Sequence, residues 1–221
     1  MENDIRVITM ESHAEDHEGV SPNIGAAYEI TVFDKDGNVK QVVKDDAKCF
    51  VMNFLRIIQN LILNGRDVGY HEYWAATTSM RNLTGEMVST YGISASYDIY
   101  GSFLANALDG DVTKGIVVGS GNIPVTEDDY ALGTIIQHGS GSNQLSYGGV
   151  AISPPSTVGS VITVTTSRMF YNTGVDAVPV SEIGLYQKGQ ITIMTLRDII
   201  SQILLNPGES MLVGYKIILN G

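Results

Sequence analysis

Short runs of β-branched and aromatic residues, set apart by Gly, Asn, Asp and Pro, predict a mainly β chain: an antiparallel β-sandwich of jelly-roll or Greek-key type. Three observations carry this. Residues 26–43 alternate apolar and polar side chains on either side of Asp34-Lys35-Asp36-Gly37-Asn38, a hairpin whose Asp-Gly step supplies the positive φ of the turn. The C-terminal half repeats strand-length runs at turn spacing, among them Val161–Thr166, Val178–Tyr186 and Met211–Leu219. Charged residues are only 17% of the 221, while Gly alone contributes 24, a mixture suited to many strands and tight turns.

The expected division is an N-terminal arm, 1–25, then one sandwich domain, 26–221, with 66–110 open as an insertion or an irregular subregion. The arm mixes charges with a few aliphatics and has a short extended piece at Ile5–Thr9. His13 and His17 stand four apart, but HAEDH lacks the glutamate order of a zinc protease helix, so a solvated arm is the simpler reading. Asp34-Lys35-Asp36-Gly37-Asn38 also matches the start of a calcium loop, yet the twelfth position holds Asp45 instead of Glu, which favours the turn.

One helix is expected. In Lys48–Leu63, Phe50, Val51, Phe54, Leu55, Ile58, Leu61 and Ile62 recur at steps of three and four, with Asp45 and Asp46 as N-cap and Asn64-Gly65 as the stop. From Arg66 to Asp109 the period fades. Tyr70, Tyr73, Trp74, Tyr91, Tyr97 and Tyr100 lie among small polar residues there, a texture that fits either a partner- or sugar-contact surface or half-buried edge aromatics. Leu83–Val88 reads as a pair of short strands. Gly115–Val150 reads as strand, tight turn at Gly119-Ser120-Gly121, an Asp129-Tyr130 entry to a second strand, a Gly139–Asn143 loop and a third strand from Leu145, joining the two layers. Val161–Thr166 continues through Met169-Phe170-Tyr171. Ile191–Ile200 begins extended, and Asn206-Pro207-Gly208-Glu209 is a turn.

Composition excludes several functions. A net charge of −11 and a pI near 4.6, with no basic run, argue against nucleic acid as a partner. No apolar run reaches the roughly 18–20 residues that cross a bilayer, so no membrane partner is expected. A single cysteine, Cys49, permits no intrachain disulfide and reads as a buried free thiol. The N-terminus shows no signal-peptide pattern, so folding in a cytoplasm is expected.

No catalytic constellation is visible. The glycines at 119 and 121 are followed by neither the Lys-Ser/Thr of a phosphate loop nor a helix, and no βαβ context supports a dinucleotide fold. No Gly-x-Ser-x-Gly marks a nucleophile. His71 and His138 stand alone, and Asp128-Asp129 is the pattern of a turn more than of a cation site. No metal, no cofactor and no enzymatic activity are expected; a glycosidase carboxylate pair is the one chemistry a single sequence leaves open.

The C-terminal half resembles structural proteins of tailed bacteriophage virions. The resemblance spans residues 48–219 and is strongest from 115 on. It rests on Val117, Val118, Gly119, Gly121, Pro124, Asp129, Tyr130 and Leu132, then Glu182, Gly184, Leu185 and Tyr186, then Arg197, Asp198, Pro207 and Gly208. These motif positions are structural. The resemblance implies a virion protein assembled in the host cytoplasm, with the major capsid protein or other virion proteins and copies of itself, as a trimer, for partners. Without internal repeats it fits a fibre shaft poorly, and its acidity suits the outer face of a shell. A capsid decoration (cement) protein is therefore the leading expectation. A tail, fibre or baseplate component gripping host glycan through the aromatics of 70–100 is the second, and an enzyme acting on cell-surface polysaccharide the third.

Overall fold

The computed structural model describes residues 23–63, 78–90 and 104–220; over these the fold is mainly β, with antiparallel sheets and one helix among the described residues. In chain order the elements are β1 (Asn23–Phe33), β2 (Val39–Asp46), α1 (Met52–Leu63), β3 (Thr78–Arg81), β4 (Met87–Thr90), β5 (Gly115–Gly119), β6 (Gln137–His138), β7 (Gln144–Ile152), β8 (Ser156–Val158), β9 (Val161–Tyr171), β10 (Val178–Lys188), β11 (Thr192–Leu205) and β12 (Ser210–Asn220). A seven-stranded sheet runs β2-β1-β12-β9-β7-β6, with β8 also on β9, and a three-stranded sheet runs β11-β10-β5. Every pairing in these sheets is antiparallel except the two-residue β6–β7 contact.

The large sheet follows the period-2 rule. Ala26, Tyr28, Ile30 and Val32 of β1 turn inward, as do Met211, Val213 and Tyr215 of β12, Arg168 and Phe170 of β9, and Leu145 and Tyr147 of β7. They share one core with Ile116, Val117 and Val118 of β5 and with β10 and β11. Each aliphatic so buried contributes roughly 1.5–3 kcal/mol of transfer free energy. The last four strands form a nested pair: β10 and β11 lie together in the small sheet while β9 and β12 pair in the large one. This is the layer-crossing connection of Greek-key sandwiches. Asn172 ties its two crossings together. Its side-chain amide donates to the Leu205 and Asp176 carbonyls at 2.7 and 2.8 Å, and its own carbonyl accepts from Gly208 N–H at 2.9 Å.

The small sheet is covered on its far side too. Residues 182–186 of β10 and 193–198 of β11 are buried without interruption, the pattern of strands enclosed on both faces. α1 packs against β11, and the non-repetitive segment 120–136 lies against β10. Both edges of this sheet are capped by short extended pieces. Val51 N–H donates to the Thr195 carbonyl and Arg197 N–H to the Cys49 carbonyl along β11, while Ile136 N–H donates to Val118 and Ser120 N–H to Thr134 along β5. Over those residues, capping takes up the edge groups that would otherwise be open to another chain.

Several expectations are corrected. β1 begins at Asn23, so 23–25 belong to the sheet and not to an arm; their backbone groups pair with Ile218–Asn220. Asp45 and Asp46 do not cap the helix. They end β2, and residues 49–51 satisfy the β11 edge before α1 starts at Met52, whose N–H donates to the Glu127 carbonyl. Leu83–Glu86 is the turn between β3 and β4, held by Asn82 Oδ1, which accepts from Thr84 and Glu86 N–H. Tyr130–Leu132 forms no strand; Leu132 N–H donates to the Tyr186 hydroxyl and not to a neighbouring strand. Cys49 is half-buried rather than fully so. The expected pieces at Ile5–Thr9, His13, His17 and His71 lie outside the described residues.

Candidate functional site

Part of the motif singled out in sequence converges on Glu182 and Arg197. Glu182 and Arg197 occupy neighbouring strands of the small sheet and face segment 120–134, and both are almost fully buried. Glu182 Oε2 accepts from Arg197 Nη2 at 3.0 Å and Nε at 3.3 Å, and from Gly133 N–H at 3.0 Å. Its Oε1 accepts from Gly121 N–H at 2.9 Å and Thr134 N–H at 2.8 Å. Arg197 Nη1 donates to Asp129 Oδ2 at 2.6 Å, and Nη2 also donates to the Ile123 carbonyl beside Pro124. Asp129 in turn accepts from Thr126 N–H and hydroxyl. Burial by itself lowers the Arg197 pKa, but Asp129 and Glu182 outweigh it and hold the guanidinium above its ordinary value.

The glycines serve this knot by lacking a side chain. A Cβ on Gly119 would lie 2.5 Å from the Thr134 carbonyl oxygen and 2.6 Å from Glu182 Oε1, and one on Gly121 would overlap the same carboxylate. A Cβ on Gly184 would press on Leu132 and the Leu196 carbonyl. Tyr186 points its hydroxyl to accept from Leu132 N–H at 2.9 Å, and burial pushes its pKa up to about 12. Tyr130 is partly exposed and lays its ring over Gly85 of the β3–β4 turn.

Asp198 follows Arg197 and therefore faces the other way, into the space between sheets. It accepts from Lys48 N–H at 2.5 Å and from the Tyr215 hydroxyl at 2.9 Å. Burial raises its pKa, offset in part by those two donors, and burial beside Asp198 pushes Tyr215 well up as well.

A second buried cation was not visible in sequence. Arg168 of β9 donates to the carbonyls of Gly148, Lys114, Ile116 and Leu108 at 2.7–3.2 Å and lies 4.8 Å from the centre of the Tyr147 ring. Burial lowers its pKa, countered by nearby Tyr147, Asp111 and Asp109. Its place on the inward parity of β9, in line with Ile162, Val164, Thr166 and Phe170, is the one signal the sequence carries. Tyr147 links the layers again, donating to the Ile136 carbonyl at 2.6 Å.

The proposed contact aromatics, Tyr70, Tyr73, Trp74, Tyr91, Tyr97 and Tyr100, lie outside the described residues. No family model, curated protein or solved structure matches this chain. Among the described residues no group of three or more His, Cys, Asp and Glu is placed to hold a metal, and no helix is long and apolar enough to cross a membrane. Asp34 Oδ1 accepts from Asp36 and Asn38 N–H at 2.9 Å, within its own turn. His138 Nδ1 accepts from Tyr147 N–H at 3.1 Å. One open cleft of about 380 Å³ lies at the end of the sandwich where the β1–β2, β9–β10 and β11–β12 connections meet, lined among others by Lys35, Tyr171, Thr173 and Glu209.

Proposed function

We propose that this chain is a non-enzymatic structural protein of a tailed-bacteriophage virion, most specifically a capsid decoration protein that binds the outer shell and copies of itself. The observation that supports this reading is the Glu182–Arg197–Asp129 knot. Of the positions that carry the virion resemblance, Gly119, Gly121, Asp129, Glu182 and Arg197 meet there, and their polar groups are taken up in clamping segment 120–134 to the sheet. Such a clamp stiffens a surface layer and leaves those groups no free valence for substrate. The acidic chain suits a surface facing away from packaged DNA.

The second reading, a tail, fibre or baseplate component that binds host glycan, is favoured by the cleft among three connections at one end of the sandwich, where β-sandwich proteins carry recognition loops. Electron cryomicroscopy of virions carrying a tagged copy separates the two. Added density on the capsid supports decoration, density confined to the tail supports the second reading, and absence of the protein from purified virions overturns both.

A further inference from the structure

The large sheet outreaches the small one. At its far end, away from the Asn172 crossing, Ile24 of β1 pairs with Leu219 of β12, and Leu219 pairs with Ile162 of β9. By strand alternation these three share the face of Tyr28, Tyr215 and Thr166, which the small sheet covers. The end row has no such cover: Ile24 is 47%, Leu219 45% and Ile162 42% exposed. One row inward, Ala26 is buried while Ile217 and Val164 are half-buried, so the cover ends between the two rows. Ile152 of β7, opposite Thr166, extends the exposed patch to one side.

We propose that this overhang joins two copies of the chain through a two-fold contact centred on Leu219. Two features select a second copy. The cover stops one row short of the sheet's end, so a two-fold axis lying along the row turns a second copy's overhang onto this one with the two covers on opposite sides, and Leu219 meets Leu219 of the partner subunit, as an isologous contact requires. The patch is also free of charge: none of residues 23–26, 161–164 and 217–220 is ionisable. Two chains of net charge −11 repel over most of their surface, and an uncharged face is where they approach at least cost.

The exposed parts of these side chains amount to on the order of 300 Å² of apolar surface per copy, at the lower end of the largest patches that single chains expose and that often serve function. A stable interface buries roughly 800 Å² per partner, so in such a dimer the polar margin carries more than half of the contact as its rim. Thr157 of β8, paired with Ile162, lies on that margin.

The contact does not depend on a virion, so purified full-length protein tests it. Sedimentation velocity over a concentration series is expected to show a dimer. Leu219→Lys is expected to weaken dimerisation at least tenfold with an unchanged far-ultraviolet circular dichroism spectrum, while Leu219→Met retains it. In a Cys49→Ser background, Leu219→Cys is expected to form a disulfide-linked dimer on mild oxidation, and Val175→Cys, at the opposite end of the sandwich, is not. A monomer at all concentrations, a trimer, or a dimer indifferent to Leu219→Lys overturns the proposal. So does a monomer that dimerises only after residues 1–22 are deleted, which would identify the chain's own N-terminus as the cover. A trimer would leave the virion reading standing.

Discussion

The Glu182 carboxylate takes two hydrogen bonds from Arg197, one strand away, and three from the backbone of a segment that adds no strand to the sheet. The pair thus acts less as an ion bridge between β10 and β11 than as a clamp for segment 120–134. A buried ion pair is often replaceable by apolar residues of similar volume. This one is not, because its removal orphans the N–H groups of Gly121, Gly133 and Thr134.

Glu182→Gln is expected to cost about 3–5 kcal/mol, since it turns an amide N–H toward Arg197 and Gly133 and leaves the guanidinium with Asp129 alone. Urea denaturation measures it. The double variant Glu182→Leu/Arg197→Met is expected to remain destabilised by several times the ~1 kcal/mol of an ordinary hydrogen bond. A double variant as stable as wild type would show that the backbone donors do not depend on the carboxylate.

Gly119→Ala and Gly121→Ala are each expected to lower stability by about 2 kcal/mol, because the new methyl enters the space of the Glu182 side chain. Gly25→Ala is the contrast: nothing lies within 4 Å of its Cβ, and replacing a strand glycine there should be neutral or stabilise by about 0.5 kcal/mol. Thermal melts of the three variants test the ordering.

Asp198 predicts a pH dependence of defined sign. Its folded pKa lies above the unfolded value of about 3.9. Its contribution to stability is therefore complete below pH ~4 and is lost as pH rises through the folded pKa. An asparagine side chain at this position would keep the Lys48 N–H bond and donate to Tyr215, whose hydroxyl then donates to the Ile183 carbonyl 3.3 Å away. Asp198→Asn should thus match or exceed wild type at neutral pH and lose that advantage toward pH ~4. A stability difference that is flat with pH would refute this.

Arg168→Lys is expected to cost about 2–4 kcal/mol, as a single ammonium cannot reach carbonyls on both sides of the planar guanidinium. Urea denaturation of the variant beside wild type measures the loss, and an unchanged midpoint would refute it.

The strands around Val161, Val178 and Met211 and the Asp34–Asn38 turn were legible because alternation and turn chemistry are local properties. The helix was legible in its body but not its start. Sequence assigned Asp45 and Asp46 to a cap, while the open edge of β11 drew residues 49–51 into an extended conformation. Asp129, Glu182 and Arg197 could be named from sequence as motif members, but nothing in their spacing, 53 and 15 residues apart, reveals that they meet.

By itself, then, the sequence determined the mainly β class, the positions of the long strands and the acidic, low-charge surface, because each follows from residue type and short-range period. Only the tertiary structure decided that the small sheet is enclosed on both faces, that Arg197 and Asp198 serve opposite sides of it, and that Ile24, Leu219 and Ile162 form one exposed row. These depend on strand register and on the relative lengths of the two sheets. Both are fixed by contacts between residues far apart in the chain, where local propensity carries no information.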